Sequence, residues 1–292
     1  MAMDSATLLS KVKYIHLVSN KLVQSIFAGN YRSLFKGPGI EFDEVRKYVE
    51  GDDARLIDWN VSSRLSGVYT KTFKEERELI LFLILDISAS LFSGSSDNLR
   101  IEATVILSSL LSFAAVSNND RVGAIFFSDR IEHWIPPRKG KKHVLRLIRD
   151  LLDIQPEGKG SNLNLALKTV NESLKRPGIC VILSDFKTRV NYKELAHLSR
   201  KHDVIAVKII DKTDEQFPAS GLLEMQDPET GDMILGYGKS ARFRKSYSDF
   251  WNEQHESLRQ ELHRCGVDTL IIRTDDDPVG RLLSFFKGRK KR

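Results

Sequence analysis

From position 79 onward the chain switches between two hydrophobic periods. "LILFLILD" (79–86), "GICVILSD" (178–185) and "DVIAVKIID" (203–211) are nearly continuous apolar runs. Runs of this length, with no polar alternation, predict strands covered on both faces. "RVGAIFFS" (121–128) and "VDTLIIRT" (267–274) read as further strands, and "IEHWIP" (131–136) as one pairing beside the former. Between them, apolar residues recur at helical spacing. In 141–153, for example, they fall at 144, 145, 147, 148, 151 and 152. The same spacing predicts helices at 98–117, 162–174, near 191–201, at 240–264 and at 278–287. Strands alternating with helices imply a mostly parallel sheet with helices on both faces, an α/β fold.

The first 77 residues differ. Residues 5–27 carry the spacing of an amphipathic helix, stopped at Gly29-Asn30. A "GPG" turn at 37–39 follows, then short extended pieces among dense acidic and basic residues over 40–77. The expected organisation is an N-terminal segment (1–77), an α/β domain (78–287) with a polar insertion at 212–239, and a basic tail (288–292).

Composition narrows the setting. The 292 residues are 41% apolar and 29% charged, which suits a globular protein with a real core. Of the net charge of +6, "KGRKKR" (287–292) supplies +5. Without interleaved aromatic residues the tail reads as a solvated terminus, and nucleic acid is not an expected partner. Cys180 and Cys265 form no CxxC motif, so a reducing compartment is expected. Asp4 and interspersed lysines argue against a signal peptide, and the longest apolar run, Leu79 to Leu85, falls well short of the roughly 20 residues of a membrane span. A soluble, cytoplasmic protein without a transmembrane segment is the expectation.

The candidate chemistry lies where the buried runs end. Ligands of open α/β sheets sit beyond the carboxyl ends of the strands. Asp86 and Asp185 each close such a strand, and Asp86-x-Ser88-x-Ser90 places a carboxylate and two hydroxyls on one stretch expected to be extended. This is an all-oxygen set suited to Mg²⁺, with no thiolate or imidazole to favour zinc.

Asp86-x-Ser88-x-Ser90 after the first strand resembles the metal-ion-dependent adhesion site of von Willebrand factor A domains. That family adds a threonine from a second loop and an aspartate after a later strand. Here Gly160-Ser161-Asn162-Leu163 and Ser184-Asp185 occupy those places. The resemblance implies that Asp86, Ser88, Ser90, Ser161 and Asp185 hold Mg²⁺ or Mn²⁺, directly or through water. It also implies an open coordination position for a partner's carboxylate. Two departures stand out. Ser161 replaces threonine and loses the stiffening β-branch. Phe186 replaces a common glycine and is expected to restrict access to the metal.

The upstream segment "GIEFDEVRKYVEGDDARLIDWNVSSR" (39–64) and the "YTKTFKEERELILFLILDISAS" that follows (69–90) resemble the bacterial family called domain of unknown function 58. Its core reads here as Asp52-Asp53-Ala54-Arg55-Leu56-Ile57-Asp58-Trp59, and the resemblance spans about residues 30–285. It implies an intracellular protein, often encoded beside a MoxR-type AAA+ ATPase. Asp52, Asp53, Arg55, Asp58 and Trp59 read as a salt-bridge and turn network joining the N-terminal segment to the main domain, with partner docking as the alternative.

Enzymatic motifs are missing. A haloacid dehalogenase-type phosphatase needs a second aspartate where Ser88 stands, and neither Gly-x-Ser-x-Gly nor His-Glu-x-x-His occurs. "GYGKS" (236–240) lacks the first glycine of a phosphate loop, since position 233 is Met, and reads as a turn before a helix. His133 and His143, beside a basic loop, read as a solvated helix start. The expected function is a metal-dependent protein-interaction module, an adaptor or co-chaperone-like partner of a MoxR-type ATPase or its client. A metal-dependent phosphoester hydrolase and a metal-free scaffold are the alternatives.

Overall fold

The computed structural model describes residues 41–65, 67–74, 79–94, 99–226, 228–229 and 231–289. The helix expected over 5–27 and the last three residues lie outside them. The described residues fall into two compact units that divide between residues 78 and 79.

The smaller unit is a hairpin. Strand β1 (Glu41–Lys47) pairs antiparallel with β2 (Tyr69–Lys74), with a bulge between Phe42 and Glu44. A 3₁₀ turn (Ala54–Leu56) and a four-residue helix α1 (Trp59–Ser62) fill the connection. Their starts are set by aspartates. The Asp53 side chain accepts from the Arg55 N–H, and that of Asp58 from the N–H groups of Asn60 and Val61.

The larger unit is the expected α/β sheet. Its strands are β3 (Ile80–Asp86), β4 (Arg121–Phe127), β5 (Ile131–Arg138), β6 (Ile179–Ser184), β7 (Asp203–Ile210) and β10 (Asp268–Arg273). They lie in the order β10-β7-β6-β3-β4-β5, all parallel except the edge strand β5. Every residue of β3 and β6 is buried, as their unbroken apolar runs require. One face packs against α4 (Leu163–Ser173), α5 (Tyr192–Lys201) and the C-terminal half of α6 (Ala241–Arg264), through Phe82, Ile84, Cys180, Ile182, Leu167, Leu195 and Leu262. On the other, α2 (Arg100–Ser117) lies against the sheet with α3 (Lys141–Asp153) and α7 (Pro278–Arg289) beside it. Trp134 packs its ring 4.9 Å from that of Phe82.

Helix α2 has the length and mean hydropathy, 1.4, of a membrane span, but 78% of it is buried inside the protein. It is the core helix of this face, and it starts with Arg100 and Glu102.

The insertion expected at 212–239 contains an antiparallel hairpin of β8 (Leu222–Gln226) and β9 (Met233–Tyr237). Gly236 and Gly238 explain its close packing. A Cβ at Gly236 would lie 2.3 Å from the Phe217 ring, and one at Gly238 would lie 2.1 Å from the Pro218 carbonyl oxygen. The expected basic tail needs correction. Arg289 belongs to α7 and pairs with Asp203 (2.7 Å) and Asp268 (2.6 Å), so it is an anchor and not part of a solvated terminus.

"GYGKS" is the turn before α6, and the Ser240 hydroxyl accepts from the Phe243 N–H at 3.2 Å. Ser240→Ala is expected to cost about 1 kcal/mol in urea denaturation, while Lys239→Ala leaves the midpoint unchanged. Equal midpoints for the two variants would show that the cap contributes nothing.

Candidate functional site

The sheet order gives the site its place. From β3 the chain builds outward through β4 and β5, then returns to β3's other edge for β6, β7 and β10. The carboxyl ends of β3 and β6 therefore flank the topological switch point, where neighbouring loops diverge and leave a crevice. Asp86 ends β3, and Ser184-Asp185 ends β6.

Three loops meet there. In the first, the Asp86 carboxylate accepts from the Ser88 N–H at 3.0 Å, an Asx-type turn. Ser88 and Ser90 converge because the chain turns into a 3₁₀ helix (Ala89–Phe92), not because it stays extended. Their hydroxyls stand 3.1 Å apart. The Ser88 side chain makes no capping bond to that helix, so its hydroxyl is free to face Ser90. In the second loop, the Ser161 hydroxyl donates to Asp86 Oδ2 at 2.8 Å. In the third, Ser184 donates to the same oxygen at 2.7 Å, while Asp185 Oδ1 accepts from the Lys187 N–H. Asp185 Oδ2 is buried without a hydrogen-bond partner.

The loops are stitched together by further bonds. Ala89 N–H donates to the Lys159 carbonyl (2.9 Å) and Thr188 Oγ1 to the Ser161 carbonyl (3.0 Å). Glu132 holds the second loop, accepting from Ser128 Oγ (2.5 Å) and Gly158 N–H (2.9 Å). Glycine is favoured at 158, because a Cβ would lie 2.3 Å from the buried Ser128 Oγ that Glu132 holds in place. Arg100 clamps the first loop through the carbonyls of Ser90 (3.0 Å) and Ser93 (2.8 Å), and pairs with Asp214 at 2.7 Å.

The electrostatics follow from burial. Desolvation, reinforced by the charge of Asp185, pushes Asp86 up to about 6. Two carboxylates kept from water beside one another repel, and hydroxyl donors offset only part of that cost. A hard cation would relieve it. The donor set is entirely oxygen, includes two carboxylates and leaves Asp185 Oδ2 unsatisfied, so the residues fit Mg²⁺ or Mn²⁺. Among the described residues no group of three or more His, Cys, Asp or Glu side chains gathers anywhere, so a cation here depends on the serines.

All five residues expected from the sequence, Asp86, Ser88, Ser90, Ser161 and Asp185, thus meet at one edge. Ser184 was missed as a member. Its signal was register, since Leu85 pairs with Leu183 and the next positions along, Asp86 and Ser184, face each other across adjacent strands. The Phe186 backbone is left-handed (φ 54°), a conformation that favours glycine, and its ring packs against the apolar core.

The Asp52–Trp59 network is made of local bonds within the smaller unit. Arg46 donates twice to Asp52 (2.8 and 2.9 Å), Arg55 pairs with Asp53 (2.8 Å) and Lys71 with Asp58 (3.4 Å). Trp59 is 69% exposed. His143 bonds through Nε2 to the Val122 carbonyl (2.9 Å), and His133 stands 3.8 Å from Asp150.

Fold and site together define an α/β domain with a mostly parallel sheet and an oxygen-lined cluster at its carboxyl edge. The chain belongs to the family described as "Protein of unknown function DUF58", whose match covers residues 44–257. It is 25% identical over 291 residues to the uncharacterized protein Rv1480 of Mycobacterium tuberculosis, covering 99% of this chain and 92% of that one. The uncharacterized protein MAV169 of Mycobacterium avium is 26% identical over 160 residues, 54% of this chain and 94% of that one. Among solved structures, it is similar to an aerotolerance-related membrane protein from Bacteroides fragilis (TM-score 0.49, 17% identity, 73% of this chain and all of that one). It is also similar to the conserved hypothetical protein BatB from Bacteroides thetaiotaomicron (TM-score 0.46, 15% identity, the same coverage).

Proposed function

We propose that this protein is a divalent-cation-dependent interaction module. In this reading Asp86, Ser88, Ser90, Ser161 and Asp185 hold Mg²⁺ or Mn²⁺, directly or through water, and a partner supplies a carboxylate to the open position. The observation that carries it is the convergence of these residues from three loops at the switch point, with a buried oxygen of Asp185 left unpartnered. The protein acts in the cytoplasm as an adaptor or co-chaperone-like partner of a MoxR-type AAA+ ATPase or its client, the partner that the family resemblance suggests. The cluster offers binding and not turnover, because Ser88 stands where a phosphatase would need its second aspartate.

The test is binding of the full chain to a MoxR-type ATPase from the same genome, with Mg²⁺ and with chelator. Affinity is expected to fall at least about tenfold in chelator, and in Asp86→Ala under both conditions. Equal affinity in all four measurements sinks the reading. One observation favours a metal-free scaffold instead: Asp86 already accepts hydroxyl bonds from Ser161 and Ser184. That scaffold predicts binding to the ATPase that chelator leaves unchanged.

A further inference from the structure

Beside the cluster, but separate from it, lies a cavity of about 480 Å³ between the loop after β6, the end of β7 and helix α6. Phe186, Tyr192, Phe250 and Trp251 supply apolar and aromatic wall, and Arg189 is exposed at the rim. The unusual member is Lys208. It lies on the sheet row that runs Asp86, Ser184, Lys208 across β3, β6 and β7, so its side chain leaves the same face as theirs. It lines the cavity and is only 4% exposed.

The Lys208 ammonium is without a committed partner. Asp185 and Asp214 act on it electrostatically, yet among the described residues none forms an ion pair with it. Asp214 is taken by Arg100 (2.7 Å) and by Lys187 (2.8 Å), and Lys187 also lies 5.7 Å from the centre of the Trp251 ring. Lys208 stands in the field of two carboxylates, beside Ser184 in its row, yet it is committed to neither acid and keeps donor capacity for a further anion. The same-face residues of β7, Ala206 and Ile210, are the ordinary solution at this depth.

We propose that this cavity binds a small organic carboxylate, its anionic group against Lys208 and its apolar body among Phe186, Tyr192 and Trp251. A single buried ammonium matches a single negative charge. A phosphate dianion would bring a second negative charge towards Asp185 and Asp214, which already act on Lys208, and a neutral ligand would leave Lys208 without an anion. The walls are aromatic, so an aryl or branched aliphatic acid suits them better than a compact one such as acetate. None of the five cluster residues lines this cavity, so its failure and the failure of the function proposed above can be told apart.

The probe is 3-phenylpropionate, titrated into the full chain and followed by calorimetry and by tryptophan fluorescence, with 3-phenylpropanamide as the uncharged control. Saturable binding of the acid is expected, unchanged by chelator, with the amide at least about tenfold weaker. Lys208→Met keeps the length of the side chain and removes the charge. It is expected to bind the acid at least about tenfold more weakly. Should that variant fail to fold, Arg189→Ala at the exposed rim is expected to weaken the acid severalfold while melting like the wild type. The proposal is overturned by absence of saturable binding, by equal affinity for acid and amide, or by variants that bind the acid as the wild type does.

Discussion

Asp86→Asn is expected to stabilise the protein in chelator and to abolish its stabilisation by Mg²⁺. The folded protein holds Asp86 at about 6 against an ordinary value of 3.8, chiefly through burial and then through the charge of Asp185. Below 3.8 the side chain is protonated in both folded and unfolded chains and contributes nothing. Between 3.8 and about 6 the folded chain keeps a proton that the unfolded chain loses, so stability falls as pH rises. Above about 6 the whole cost is present, roughly 3 kcal/mol at most. Asparagine removes the charge, so the variant lacks this downward slope and melts higher than the wild type at pH 7 in chelator. A divalent cation at about a hundred times its dissociation constant would return about 2.7 kcal/mol to the wild type. For a unit of this size that corresponds to some 5–10 °C in melting temperature. Differential scanning fluorimetry from pH 4 to 8, with and without Mg²⁺, reads both effects. Parallel curves for the two proteins, with equal response to Mg²⁺, would refute the assignment of Asp86.

Asp214→Ala should cost more than any surface change, about 3–5 kcal/mol in urea denaturation at pH 7. Arg100 is 3% exposed and relies on Asp214 for its charge, while Lys187 and the Asp211 N–H use the same carboxylate. Burial opposes ionisation of Asp214, but Lys187 and Arg100 outweigh it and hold the group below the usual carboxylate range. Truncation leaves a buried guanidinium unpaired. The double change Arg100→Met with Asp214→Leu is expected to recover most of the loss, since it removes both charges. Breaking the exposed Arg55–Asp53 pair should leave the midpoint where it is. If Asp214→Ala and the double variant unfold alike, the buried charge is not the cause. Because Arg100 also grips the Ser90 and Ser93 carbonyls, Asp214→Ala should blunt the response to Mg²⁺ as well.

Much of the fold was legible because its signals are local. Seven apolar residues in a row before Asp86 have one comfortable place, a strand covered on both faces, and β3 occupies it. Helix α3 matches the expected 141–153 at both ends, since its apolar spacing and the Gly140 before it leave little choice. The insertion was harder to read. Leu222, Leu235 and Tyr237 stay exposed in its hairpin, so the alternation that marks a half-buried strand was weak.

The site divides in the same way. Asp86, Ser88, Ser90, Ser161 and Asp185 could be named from sequence because each follows a recognisable strand or precedes a helix. Even so, the turn that brings Ser88 to Ser90 was mistaken for extended chain. Ser184 was read only as the residue before Asp185, and Lys208 and the Arg100–Asp214–Lys187 cluster were not named. Ser184 reaches Asp86 across 98 positions and Arg100 reaches Asp214 across 114. The sequence by itself determined the elements and the polar residues that end them, since periodicity and strand ends are written in consecutive residues. Only the tertiary structure decided which charges face one another, because strand order and register choose the neighbours of a buried group, and in a low-dielectric interior those neighbours set its charge and its cost.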